Sequence, residues 1–186
     1  MQQILVLDIA GTPYGWMSPN DAASYYAADK VAWEIGEQLI LLRGGTNMFG
    51  QQSKISVKPV ISIKNSDRMS KSLRHHIPLG DGNRLLYARD KYFCAYCGEQ
   101  YASHDLSRDH ILARSRGGRD VWENCVTACR RCNQAKGSKL VHDFKPLIYV
   151  PYAPCRFEHF ILSGRNVIAD QLDYLSAKLP RHSRLL

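Results

Sequence analysis

The sequence predicts an α+β protein: a small mixed α/β N-terminal lobe, a second α+β domain built around two cysteine pairs, and a C-terminal helix. Three observations carry this prediction. Short β-branched runs sit beside a proline-free helical stretch in the first third of the chain. Two C-x2-C pairs occupy the middle. Residues 165–179 place Ile168, Leu172, Leu175 and Leu179 on one face of a helix. The chain has 186 residues, enough to bury a core without a disulfide framework. A composition of 45% hydrophobic and 23% charged residues excludes a disordered chain. Apolar runs such as residues 39–42 are too short to span a bilayer. The N-terminal MQQILVLDIAG lacks a basic n-region and a long apolar h-region, so a cytoplasmic protein with no membrane partner is expected.

Residues 4–8 read as a short buried strand, followed by the turn-rich GTPYGWMSPN. Ser18 or Asn20 is placed to cap a helix over about 21–29. Residues 37–43 and 55–63 read as strands, with Gly44-Gly45 and residues 47–53 as a hairpin connection. Pro59 marks an edge or a bulge. These elements form a first lobe over residues 1–65. Residues 66–82 are polar, basic and glycine-punctuated and read as a linker. A helix is expected over 83–91, with Leu85, Leu86 and Arg89 at helical spacing. The second domain then runs over 83–145. Residues 146–186 form a C-terminal extension, first extended and proline-interrupted and then helical. That helix could serve the intramolecular core or a homodimer.

Charge is distributed unevenly. Residues 1–63 hold four basic and five acidic side chains, a sum of −1, so with a total of +8 the remainder carries +9. A basic half beside a near-neutral half points to a polyanion partner, whose binding would weaken with salt. Within 108–139 the basic residues are Arg108, Arg114, Arg116, Arg119, Arg130, Arg131, Lys136 and Lys139, against Asp109, Asp120 and Glu123. Arginine forks suit phosphate and lysine acts as a point charge. Arg114, Arg116, Arg130, Arg131, Lys136 and Lys139 are the expected nucleic-acid contacts.

Cys94/Cys97 and Cys129/Cys132 form the two C-x2-C pairs. Two residues between thiolates let a tight turn aim both sulfurs at one ion, and two such turns complete a tetrahedral shell. A structural zinc on these four cysteines is expected; redox chemistry is the rival reading. The pairs are 31 residues apart, longer than a minimal zinc ribbon needs, so another element is inserted between them. Cys125 and Cys155 read as packing residues. His75, His76, His104, His142, His159 and His182 read as surface or packing residues, His104 being close to the first cysteine turn.

The insert and its flank read LSRDHILARSRGGRDVWENCVTACRRCNQAKG. Asp109-His110 is followed by Asn124 after 13 residues and by Asn133 after 8 more. With Gly117-Gly118, the WEN at 122–124 and the CN-x2-KG at 132–137, this segment resembles the HNH endonuclease family of the ββα-metal fold over about 83–140. The spacing is similar to the HNH domain of CRISPR effector nucleases, and the whole chain looks similar to stand-alone bacterial and phage HNH proteins. The resemblance implies His110 as general base and Asp109 and Asn133 as ligands of a catalytic divalent ion. It further implies Asn124 as the residue that fixes the loop and orients His110.

A carboxylate and an amide oxygen are hard donors that favour Mg²⁺ or Mn²⁺. An imidazole near its reference pKa can accept a proton at neutral pH. Strand periodicity alone sends Asp109 and His110 to opposite faces; their convergence is what the resemblance implies. The expected function is a one-metal endonuclease or nickase acting on DNA, expected to be double-stranded, and leaving 5′-phosphate and 3′-hydroxyl ends as that family does. The alternative is a zinc-stabilised nucleic-acid-binding module that does not cut.

Overall fold

The structure is a computed structural model that describes residues 2–66, 77–181 and 183–185. His75, His76 and His182 lie outside the described residues, as does most of the expected linker. In chain order the elements are β1 (Ile4–Leu7), β2 (Pro13–Met17), α1 (Pro19–Ala27), β3 (Val31–Ile35), β4 (Ile40–Thr46), β5 (Gln52–Val57), β6 (Val60–Ile63), α2 (Arg84–Arg89), β7 (Leu106–His110), β8 (Cys125–Cys129), α3 (Arg130–Lys136), α4 (Arg156–Ser163) and α5 (Ala169–Ser176). None of the helices among the described residues is long and apolar enough to cross a membrane. The chain divides into two compact units, one of residues 1–75 with 156–186 and one of residues 76–155.

The first unit is built on a mixed sheet of order β2-β1-β6-β3, with a separate β4-β5 hairpin. β1 is buried along its whole length because both of its faces are covered, which is why it reads as a continuous apolar run. Ile4 and Val6 pack with α1 and the β4-β5 hairpin through Ala22, Val57 and Leu42. Leu5 and Leu7 pack on the other face with Phe160 of α4 and Leu175 of α5. Ser18 caps α1, its hydroxyl accepting the Asp21 N–H at 3.1 Å, as its position before a proline-led helix requires.

Several expectations are corrected here. β2 forms where a turn was expected. Buried Asp8 accepts the Thr12 N–H at 2.7 Å, Gly11 takes φ +86°, and the chain folds back antiparallel on β1. β3 was not anticipated, and the first strand expected over 37–43 begins only at Ile40. β4 runs through Gly44-Gly45 with an irregular register between Arg43 and Thr46, so the hairpin turn is shorter than expected. Pro59 marks neither an edge nor a bulge. It separates β5 from β6, the strand that lies between β1 and β3, and its carbonyl accepts the Leu5 N–H and Gln171 Nε2, each at 2.9 Å. On α5 the buried pair is Gln171 and Leu175, whereas Leu172 is 42% exposed. The apolar face is therefore rotated from the expected one, because Gln171 is drawn inward by the Gln3 and Pro59 carbonyls.

The second unit holds the β7-β8 hairpin, with α2 and α3 packed against it. One core cluster gathers Cys94, Tyr96, Val126 and Cys129. The other gathers Leu86, Leu106, Trp122 and Cys125. A fully buried Arg89 stands among them. Its Nε and Nη2 bind the two Asp90 carboxylate oxygens at 2.8 and 3.0 Å. Nη1 donates to the Trp122 and Tyr152 carbonyls, and Nη2 also donates to that of Cys125. Removing one partner of such a pair strands the other charge in the interior. Arg89→Met should therefore lower the stability of the zinc-loaded protein by about 3–5 kcal/mol in urea denaturation. Arg89→Lys, which keeps the charge but loses the fork, should fall between.

Candidate active site

The four-cysteine cluster is assembled from two turns. Gly98, at φ +75°, returns its N–H to the Cys94 carbonyl at 2.9 Å, which folds the first pair. Cys129 ends β8 and caps α3, its sulfur accepting the Cys132 N–H at 3.4 Å. The four Sγ atoms of Cys94, Cys97, Cys129 and Cys132 lie within 4.8 Å of one another. A tetrahedral zinc at about 2.3 Å from each sulfur needs sulfurs about 3.8 Å apart, so the donor set fits that ion. Burial pushes the Cys94 thiol up and the Cys132 thiol up to about 12. A bound cation would take both as thiolates. Cys125 is buried outside this set, against Leu86 and Trp122.

β7 distributes its side chains between two environments. Ser107 and Asp109 meet α3: Asn133 Nδ2 donates to Ser107 Oγ at 2.8 Å and to the Arg108 carbonyl at 3.1 Å, and Lys136 Nζ lies 3.2 Å from Asp109 Oδ1. Arg108 and His110 meet the following loop, where both reach Asp120 Oδ1 at 2.9 Å. The alternation of a strand accounts for the division. The Asp109 and His110 side chains therefore have different side-chain partners. Asp109 is 4% exposed and accepts Tyr96 Oη on its other oxygen at 2.5 Å. Burial first, then the Asp109 hydrogen bond, pushes the Tyr96 phenol well up, so it remains a donor. The hydrogen bond from Arg108 first, then that from His110, holds the Asp120 carboxyl down at about 2.

Asn124 fixes the loop but does not touch the His110 ring. Its Oδ1 accepts the Leu112 N–H at 2.9 Å, and its Nδ2 donates to the Leu112 and Arg119 carbonyls at 3.2 and 2.9 Å. The Gly117-Gly118 pair belongs to the same clamp. Gly117 has φ +87°, and a Cβ on Gly118 would meet the Leu112 carbonyl oxygen at 1.7 Å.

The basic residues separate into two kinds. Arg114, Arg116, Arg130, Arg131 and Lys139 are exposed. Arg116 Nε donates to the Ser138 carbonyl and Arg130 Nε to that of His104, each at 2.9 Å. Lys136, expected to face phosphate, is corrected: it is fully buried, and Nζ also donates to the His110 carbonyl at 2.6 Å. It lies three residues beyond Asn133 on one helix face, a spacing that could have signalled its inward direction. Asp120 and Tyr96 escaped the sequence reading because loop closure, not spacing, brings them to His110 and Asp109. His104 and His142 are exposed, and His159 packs edge-on to Phe160.

Asp109 and Asn133 offer the hard oxygens for a divalent ion. Each Asp109 oxygen accepts one hydrogen bond and keeps a further lone pair. Asn133 makes both of its bonds through nitrogen, leaving its amide oxygen for an ion. These donors fit Mg²⁺ or Mn²⁺, with the Lys136 ammonium as a competing cation at the same carboxylate.

Two outcomes follow from the frame and the loop. Cys129→Ser should lose the zinc that the parent carries, read by metal analysis, together with the near-UV circular dichroism of the second unit. Gly118→Ala should cost at least about 1–3 kcal/mol in urea denaturation, because the carbonyl it meets is backbone and cannot swing away.

The same segment is similar to known proteins. A family model described as HNH endonuclease matches residues 94–146. A segment of 46 residues is 44% identical to the CRISPR-associated endonuclease Cas9 of Corynebacterium diphtheriae, covering 24% of this chain and 4% of that relative. Residues 94–146, which carry the four-cysteine cluster, both faces of β7 and the Asn124 clamp, are an HNH endonuclease domain.

Proposed function

We propose that the protein is a divalent-metal-dependent DNA endonuclease or nickase in which His110 is the general base. The observation that supports this most is the state of His110. It is a half-buried imidazole at the end of β7, with one ring nitrogen engaged by Asp120 and the other left for a water molecule. Asp109 and Asn133 would hold the catalytic ion. When bound, that ion supplies charge neutralisation at the phosphate and at the departing oxygen. His110 removes a proton from the attacking water. Arg114, Arg116, Arg130, Arg131 and Lys139 hold the DNA backbone, which positions the duplex without reading its sequence. A zinc on the four cysteines serves the fold alone. The exposed arginine-rich charge around the hairpin suits a phosphodiester backbone such as that of DNA.

One observation favours a second reading, a module that binds nucleic acid without cutting. Asp109 is buried and already satisfied by Lys136 and Tyr96, so an ion must compete for it.

The deciding experiment is incubation with supercoiled plasmid and Mg²⁺ or Mn²⁺. The parent should cut, EDTA should stop it, and His110→Ala should lower the rate by about 10²–10⁴. Nicked product from a monomer, or linear product from a dimer, would separate the two modes. Salt-dependent binding by parent and variant without cutting would establish the second reading instead. Arg130→Ala and Lys139→Ala should each flatten the dependence of log affinity on log salt by about 0.9.

A further inference from the structure

The His110 ring has one edge held by a built network. Asp120 Oδ1 lies 2.9 Å from His110 Nε2 and 2.9 Å from Arg108 Nη1. Arg108 is braced from behind, with Nε on Asn83 Oδ1 at 3.1 Å and Nη2 on the Gly80 and Gly82 carbonyls at 2.7 and 3.0 Å. Arg114 Nη1 stands 3.7 Å from the second Asp120 oxygen. The backbone beside Asp120 is fixed as well, because Asn124 Nδ2 holds the Arg119 carbonyl at 2.9 Å. Two guanidinium groups on Asp120 keep it a carboxylate, and a carboxylate only accepts. The nitrogen facing it must carry the hydrogen.

Resting on the reading of this domain as a nuclease, we propose that Asp120 is the positioning residue for His110: it holds the ring in the Nε2–H tautomer and presents bare Nδ1 to the attacking water. In the step so arranged, the water oxygen forms a bond to phosphorus and its proton passes to Nδ1. The bond from phosphorus to the 3′ oxygen breaks, its electron pair stays on that oxygen, and solvent supplies the proton that completes the hydroxyl. Asp120 stabilises the imidazolium formed at Nε2. Asn124 then acts on His110 at one remove, by fixing the loop that carries Asp120.

His110, Asp120 and Cys125 also place nitrogen, oxygen and sulfur donors within 4.8 Å of one another, a set that a softer divalent ion could take. Arg108 occupies the shared oxygen, Arg114 stands by the other, and burial pushes the Cys125 thiol up to about 11. The cluster is thus arranged to repel a cation and to accept hydrogens.

The test joins kinetics to nitrogen NMR of histidine-labelled, zinc-loaded protein, with the His110 signals assigned by comparison with His110→Ala. In Asp120→Asn the side-chain oxygen is claimed by Arg108 and the amide N–H₂ faces the ring. The ring should shift toward Nδ1–H, and plasmid kcat should fall about 10²–10⁴-fold with KM within about threefold. Asp120→Glu should recover part of kcat. A merely structural role would move urea midpoint and zinc content, which should stay near the parent's. If the parent cuts and His110→Ala does not, yet Asp120→Asn keeps both kcat and the Nε2–H tautomer, the positioning role is overturned and the nuclease stands. If nothing cuts, the nuclease reading fails. In that case an Nε2–H ring in the parent that shifts in Asp120→Asn still upholds Asp120's hold on the ring, and an unshifted ring overturns it.

Discussion

Arg89 is the interaction on which the second unit depends. A guanidinium has five N–H donors, and all five are used: two on the Asp90 carboxylate and one each on the carbonyls of Trp122, Tyr152 and Cys125. Asp90 in turn accepts the Thr127 N–H at 2.9 Å. One buried ion pair thereby joins α2, the entry and middle of β8, and the segment after the second cysteine pair. A charge taken from water costs several kcal/mol, and only complete hydrogen bonding in fixed geometry offsets it. That requirement is also what makes the arrangement specific. A shift of β8 by one residue would leave donors of Arg89 without acceptors.

The position of β8 then determines where chemistry can occur. Its last residue, Cys129, is at once a strand end, a member of the four-cysteine cluster and the cap of α3. The angle between hairpin and helix is therefore set at a single residue. From that cap Asn133 and Lys136 fall on the helix face that meets Ser107 and Asp109. The other face of β7 is served by a loop instead. Gly118 admits the close approach of the Leu112 carbonyl, Asn124 ties both sides of the loop, and Asp120 arrives at the His110 ring. Helix and loop thus address adjacent residues of one strand from different sides.

The sequence made the cysteine cluster and the family segment more legible than the architecture. Paired cysteines depend on short-range turns, and such turns are written in local residue types. The same holds for Ser18 at the start of α1. Elements set by tertiary contact were harder to read. β2 contains Pro13 and Gly15, which argue against a strand, yet it pairs with β1 because Asp8 and Gly11 close the turn. Gln171 faces inward for the sake of two carbonyls that no periodicity reveals. Lys136 shows the limit of charge counting: a basic side chain in a basic stretch carries no sign of whether it meets solvent or a buried carboxylate.

Lys136 also accounts for how the fold holds a buried carboxylate. A buried carboxylate without a cation would be costly, and Asp109 has neither solvent nor an arginine. The ammonium of Lys136 and the phenol of Tyr96 divide its two oxygens between them, so the anion is compensated within the fold. The Lys136 link to the His110 carbonyl means that the residue neutralising Asp109 also holds the backbone of the neighbouring imidazole. Any change in how Asp109 is neutralised would therefore reach His110 through Lys136. The Asp109 carboxylate and the His110 backbone, on adjacent residues of β7, are linked through one buried lysine.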